Sequence, residues 1–531
     1  MGEEGLSETA GGSKPKFPLV ESAVIGGLGL VALVVWFFMK DAPKPNVILI
    51  SIDTLRPDHL GCYGYEPPTS PRMDRFAAEG VRFAKTHSSS SWTLPAHMSL
   101  LTGQPDRVHG VVHDTLARDP NVKMLAEAFR ENGYRTGGYY GGPYLEPFFG
   151  FGEGFEDYVN CGVELFGSVQ RVPAAMRNQW LANKERESHS VVTAPKTTDH
   201  ALSFLERHQE EPFFLFVHHW DVHYDFNAPA EFVRRFWNGP PPDDFSIELF
   251  MGNEAIAPTM TAQERAWLIA NFDAEIAWVD HHVGRLLDRL DELGLADDTY
   301  VVVTADHGEE FFEHGAKGHR QNLYDTTLRI PLLVRGPGIR KGVVVDEQAR
   351  LFDVMPTILD LCGLPAERGC GGVSLTPLID GDAPAHLRDL PLLAELTDVP
   401  KVRGEDGKVA TPHKIVHRAC GSNGFKHILA ERRLFDSAKP DLTPFGGELV
   451  DRSERLFDLD EDPGETQDLS ESDPQALERL REKCGKIGGT MQKLKDSLGL
   501  IATDREVPAE IREALDAMGY TGNSTTGDDG G

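Results

Sequence analysis

Cysteine is scarce in this chain, and no two cysteines stand in a Cys-x-x-Cys pair: Cys62, Cys161, Cys362, Cys370, Cys420 and Cys484 are spread over 531 residues. That excludes a disulfide-built scaffold and a thiolate zinc site as the basis of the fold. Most of them read as buried thiols; Cys362 and Cys370 are close enough in sequence to bridge in an oxidising compartment, but nothing in the sequence compels it. Basic residues are also in deficit, 53 Lys and Arg against 83 Asp and Glu, for a formal net charge of −30. A surface this acidic repels nucleic acid phosphates, so no nucleic acid partner is expected. It would repel a small anion as well, and a site for one must supply its own cation and hydrogen-bond donors. Internal repeats are absent.

Long apolar runs are missing from all but one place. Residues 19–39 (LVESAVIGGLGLVALVVWFFM) are apolar apart from Glu21 and Ser22, roughly 20 residues, which is enough to cross about 30 Å of hydrocarbon as a helix. A cleaved signal peptide fits less well, because the run exceeds the usual length of about 7–15 residues and no small-x-small site follows it. The reading is a single N-terminal transmembrane helix. Lys14 and Lys16 precede it and Lys40 and Lys44 follow it, so flanking charge does not orient it.

The expected organisation is a disordered tail over residues 1–18, an anchor over 19–39, a catalytic domain over 45–390, a small C-terminal subdomain over 391–485, and a helix with a disordered tail over 486–531. Strands are predicted at 46–52, 135–140, 213–217, 299–304 and 330–334, and helices at 70–79, 122–132 and 262–293. Apolar strands alternating with helices predict an α/β fold whose large, mostly parallel central sheet is covered on both faces. Beyond residue 390 the alternation weakens to short strands at 413–416 and 455–459 and a helix near 474–484, an α+β subdomain.

In an open parallel sheet, ligands bind beyond the carboxyl ends of the strands. Three predicted strands end in candidate groups: VILISID in Asp53, FFLFVHHWDVH in His218, His219, Asp221 and His223, and YVVVTADHGE in Asp306, His307 and Glu309. EHGAKGH follows with His314, Lys317 and His319. Any one of these is an ordinary loop residue or cap; three strand ends together are not. Carboxylates and imidazole in one crevice call for a divalent cation, with Asp53, Asp306 and His307 as ligand candidates. An oxygen-rich set suits calcium, magnesium or manganese, and zinc is compatible. In SSSSWTLPAHMSLLTG, Thr93 falls at a helix N-terminus, where free N–H groups suit an ionised hydroxyl or a tetrahedral anion, or where threonine serves only as an N-cap. A shared metal would lower the hydroxyl pKa and make Thr93 a nucleophile.

The chain resembles the sulfatase family of the alkaline phosphatase superfamily. The likeness runs through NVILISIDTLRPDHLGCYGY, SPRMDRFAAEGVRF, TLPAHMSLLTG, the His-Gly pair at 109–110, FLFVHHWDVH, TYVVVTADHGEEFFEHG with KGH, IPLLVRGPG and RLFDLDEDPGETQDL. It implies an alkaline-phosphatase/sulfatase-like sandwich and a metal held by Asp53, Asp306 and His307. It further implies contacts from Lys317, His223, His319 and His109 to the anionic group of an ester. Substrates implied are sulfate or phosphate esters of small molecules, glycans or lipids, met on the periplasmic or extracellular side of a membrane that the N-terminal helix reaches.

Two departures matter. The family's Cys or Ser, the precursor of formylglycine, is Thr93, whose oxidation would give a ketone, and the Arg that closes that motif is His97. An unmodified, metal-bound threonine nucleophile, as in related phosphodiesterases, suits these residues better. A second metal-site carboxylate of the family is Thr54 here, and no Asp-x-x-x-His spacing appears at 221–225, so one metal is expected. Alternatives are a catalytically silent, membrane-tethered binder of anionic esters or glycans, and a phosphoryl transferase acting on an envelope lipid or glycan.

Overall fold

The computed structural model describes residues 44–162, 192–398, 413–434 and 447–504. The apolar segment 19–39 and both expected tails lie outside them. Among the described residues no helix is long and apolar enough to cross a membrane.

The centre is an eight-stranded sheet. Its spatial order is Val343–Arg350, Val81–His87, Leu332–Arg335, Thr299–Ala305, Asn46–Ile52, Phe213–His219, Arg135–Tyr140 and Asp157–Asn160. Asn46–Ile52 is buried at every position, as its unbroken apolar sequence requires when helices cover both faces. It pairs in parallel with Phe213–His219 on one side and Thr299–Ala305 on the other. Ile52 stands opposite both His219 and Ala305. The next residues, Asp53 and Asp306, therefore leave the sheet at one level.

The sheet is mixed rather than wholly parallel. Leu332–Arg335 runs antiparallel to both neighbours, while every other pairing in the sheet is parallel. Val81–His87 and Val343–Arg350 were not anticipated, since charged residues interrupt both (VRFAKTH and VVVDEQAR) and their burial is incomplete. Ala262–Glu292 is the longest helix, its first turn closed by a reciprocal pair: Glu264 N–H donates to Thr261 Oγ1 and Thr261 N–H to Glu264 Oε2.

Four antiparallel strands, Leu392–Asp398, His413–Ser422, Phe425–Leu434 and Glu448–Asp458, make a second sheet. The strands expected at 413–416 and 455–459 are thus 10 and 11 residues long. The helix Pro474–Leu498 continues across the boundary expected at 485/486. The cysteine expectation needs correction. Cys420 and Cys484 form a disulfide that joins this sheet to that helix, whereas Cys362 and Cys370 are both free. Strand–helix packing brings Cα atoms 64 residues apart to 6.0 Å, a distance that suits a bridge and that sequence proximity does not foretell. The second sheet also buttresses the segment before Thr93, because Glu395 N–H donates to Ser89 O at 2.9 Å and Ser90 Oγ to Glu395 O at 2.7 Å.

Candidate metal and ester site

Asp53, Asp306 and His307 converge at the strand ends, each contributing a ligand atom within 4.8 Å of the others. His307 Nε2 lies 3.4 Å from Asp306 Oδ2 and 3.7 Å from Asp53 Oδ1. Its Nδ1 donates to Gly308 O at 2.9 Å, which fixes the tautomer and leaves the Nε2 lone pair facing the carboxylates. Asp306 Oδ1 accepts from the N–H groups of His307 (2.9 Å) and Thr54 (3.3 Å). Thr54, at φ +52°, takes the left-handed conformation that turns the chain back over Asp306.

All three residues are fully buried, yet no donor meets either oxygen of Asp53 or Oδ2 of Asp306 in good hydrogen-bond geometry, the Thr93 hydroxyl and Thr54 N–H lying beside Asp53 without reaching it. Burial pushes the Asp53 carboxyl up to about 7, with His307 and the neighbouring Thr93 pulling the other way. Carboxylate oxygens hidden from water without donors are costly, and a cation answers that cost. Two carboxylates, one imidazole and an adjacent hydroxyl therefore fit a divalent ion.

Thr93 opens the helix Thr93–Thr102. It is the first helical residue, not the cap: that place is taken by Trp92, whose extended backbone offers no side-chain cap. Gly103, at φ +65°, ends the helix as its residue type predicts. Thr93 Oγ1 comes within 3.4 Å of His307 Nε2, so the helix delivers its hydroxyl to the carboxylate cluster.

His97 follows one turn later, wholly buried. Its Nδ1 donates to Thr93 O and its Nε2 accepts from Ser51 Oγ, both at 3.0 Å. Burial, aided by neighbouring His218, lowers its pKa to about 3, so the ring is neutral. With both nitrogens engaged inside the protein, His97 holds the helix to the strand Asn46–Ile52 rather than reaching an ester.

His319 and His223 form a wall beside the cluster. The His319 ring lies 4.5 Å from that of His307 and 5.0 Å from that of His223. His319 Nδ1 bonds Glu309 Oε1 at 3.1 Å, and His223 Nδ1 donates to Tyr224 O at 2.5 Å. Two expected residues are engaged elsewhere. Lys317 Nζ donates to the carbonyls of Asn253 (2.7 Å) and Ile256 (2.9 Å). His109 is buried with Nε2 3.1 Å from Ser99 Oγ and Nδ1 accepting from Val111 N–H. Ser99 is six residues beyond Thr93, roughly 9 Å along a helix, which puts His109 toward the far end.

Sequence reasoning gave too little weight to one residue and too much to another. Glu309 is fully buried, and its Oε1 pairs with His319; its place two residues after His307 was the available signal. Asp221 looked like a site residue but caps the helix Ala194–His208, accepting from the N–H groups of Thr193 (3.0 Å) and Ala194 (2.6 Å).

Residues 45–364 match the model of the Sulfatase family. The ulvan-active sulfatase of Formosa agariphila is 27% identical over 363 residues, 66% of this chain and 68% of that one. The multifunctional alkaline phosphatase superfamily protein PehA of Trinickia caryophylli is 26% identical over 407 residues, 65% of this chain and 79% of that one. Among solved structures, the phosphonate monoester hydrolase of Agrobacterium radiobacter shares the fold with a TM-score of 0.64 at 20% identity, covering 84% of this chain and 96% of that one.

Proposed function

Since the chain belongs to the sulfatase family and is an ester hydrolase of that kind, we propose that it cleaves sulfate, phosphate or phosphonate esters with unmodified Thr93 as the nucleophile. The observation that carries this reading is the approach of Thr93 Oγ1 to His307 Nε2, 3.4 Å, inside the ring of donor-less carboxylate oxygens. Asp53, Asp306, His307 and the Thr93 hydroxyl would hold one divalent cation. When bound, that ion supplies positive charge for the ester's anionic oxygens and lowers the pKa of a hydroxyl beside it.

Thr93 Oγ1 attacks sulfur or phosphorus, the bond to the alcohol oxygen breaks, and a covalent threonine ester results. The hydroxyl proton leaves toward the carboxylate of Asp53, on which the Thr93 side chain acts as a neighbour. His319 or His223, in the wall beside the cluster, hydrogen-bonds the departing oxygen. Lys317 has no such role, since its ammonium is bound to the 253–256 backbone. Water then cleaves the threonine ester, releasing the inorganic anion and restoring the hydroxyl.

Sulfated sugars enter as candidate substrates because a structural neighbour is solved with its substrate D-glucosamine-2-N,6-O-disulfate, ulvan because a relative is named an ulvan-active sulfatase, and phosphonate monoesters because a structural neighbour is named for them. We place the 19–39 segment in a membrane as an anchor and the hydrolase on its periplasmic or extracellular side. The Cys420–Cys484 disulfide suits an oxidising compartment.

The test is turnover by the full chain, supplied separately with Ca²⁺, Mg²⁺, Mn²⁺ and Zn²⁺, of nitrophenyl sulfate, phosphate, phosphodiester and phosphonate esters. Hydrolysis of at least one, abolished in Thr93→Ala, is expected. No turnover by the unaltered chain across the whole set would overturn the reading.

A further inference from the structure

His218 lies one residue before the end of Phe213–His219, wholly buried, and neither of its ring nitrogens meets a hydrogen-bond partner. Ser51 stands opposite it in the sheet, and the Ser51 backbone acts on the ring as an acceptor only from outside strict hydrogen-bond geometry. His218 Nε2 stops 3.6 Å from Asp53 Oδ2, just outside hydrogen-bond range, while Oδ1 of the same carboxylate faces His307 at 3.7 Å. His97 packs edge-on against the ring, centroids 4.6 Å apart and planes at 79°. His97 is itself tied to Ser51 and Thr93, so the ring that His218 packs against is held in place.

A neutral imidazole carries one N–H in either tautomer, and burying it without an acceptor costs stability. An aliphatic side chain of similar volume would fill this place without that cost, so packing gives no reason for a histidine here. Apart from the Ser51 backbone, the acceptor within a small adjustment, and the one that Nε2 faces at 3.6 Å, is the Asp53 oxygen that does not face His307. Imidazoles and carboxylates that hold a metal ligand from behind fix its orientation and raise the ion's affinity.

We propose that His218 is a positioning residue for Asp53, its Nε2–H kept for Oδ2 so that Oδ1 turns toward the cation site shared with Asp306, His307 and Thr93. The inference rests on the metal reading above. It assigns His218 to the ion's affinity, not to the fold and not to contact with the ester.

The full chain, stripped by chelator and desalted, is titrated calorimetrically with Ca²⁺, Mg²⁺, Mn²⁺ and Zn²⁺ chlorides separately, and the thermal midpoint of each ion-free form is measured alongside. His218→Leu should weaken the tightest-binding ion by about 10- to 100-fold, with an ion-free midpoint no lower than that of the unaltered chain. His218→Gln, whose amide N–H can donate, should recover most of the affinity. Unaltered affinity in His218→Leu overturns the inference alone. So does a His218→Leu chain that fails to fold, or one with a lowered midpoint and no recovery in His218→Gln. If the unaltered chain binds none of the four ions, the metal reading falls and the inference falls with it.

Discussion

His97 donates from Nδ1 to the carbonyl of Thr93, one helical turn before it, at 3.0 Å, and accepts from Ser51 through Nε2 at the same distance. One neutral ring thus joins the helix that carries the hydroxyl to the strand that ends in Asp53. His97→Ala should remove about 3 kcal/mol of stability, through a cavity and an unpaired Ser51 hydroxyl. Chemical denaturation of the ion-free chain reads this directly, and a loss below about 0.5 kcal/mol would mean that the tie is dispensable.

Thr93→Ala should lower kcat on nitrophenyl esters by about 10³-fold or more, because the covalent step is lost. Thr93→Ser keeps a hydroxyl at the same helical position and should retain measurable turnover. Full-rate hydrolysis by the alanine variant would exclude Thr93 as nucleophile.

Removal of the ion leaves Asp53 and Asp306 with carboxylate oxygens that no donor meets. Restoring it at about 100-fold above its Kd should stabilise the chain by about 2.7 kcal/mol. Asp306→Asn should abolish that gain. Thermal melts with and without chelator check both, and an ion-dependent rise of the same size in the variant would place the ion elsewhere.

His219 is buried, and burial, with His282 and His218 adding to it, lowers its pKa from 6.5 to about 3. The folded value lies below the unfolded one, so this contribution is complete above pH 6.5 and is lost as pH falls from there toward 3. At pH 5 the loss attributable to this ring is about 2 kcal/mol. His219→Gln should therefore show a pH 7-to-5 drop in unfolding free energy smaller than that of the unaltered chain by about that amount. Equal drops would mean that the ring titrates alike in both states.

The Cys420–Cys484 disulfide closes a loop over a sequence separation of 64 residues. In the chain-entropy account, a loop of this size is worth about 4 kcal/mol. Reduction, or Cys484→Ser, should lower stability accordingly and raise amide exchange first in Pro474–Leu498, where Ala476, Leu477, Leu480 and Gly488 are the buried positions. Unchanged protection of that helix after reduction would show that its packing holds it alone.

Much of this architecture was legible in the residues themselves. Asn46–Ile52 occurs where its apolar, β-branched run predicts, Phe213–His219 begins where the FFLFV run does, and Ala262–Glu292 lies where its sequence pattern places it. Asp53, Asp306 and His307 could be named because a charge that directly follows a buried strand has few places to go except the ligand-binding edge of the sheet. Val81–His87 was missed for the opposite reason: Arg82 and Lys85 break the apolar run, and cross-strand pairing supplies what local pattern lacks.

The sequence by itself determined which side chains stand at the ends of the central strands, because strand length and alternation are local properties of the chain. Only the tertiary structure decided which of them meet. It gave Lys317 to the carbonyls of Asn253 and Ile256, His109 to Ser99, Asp221 to a helix terminus and Cys484 to Cys420. A buried polar group takes whichever partner the packing brings within about 3 Å, and that choice is made by segments tens to hundreds of residues apart, which no window along the sequence contains.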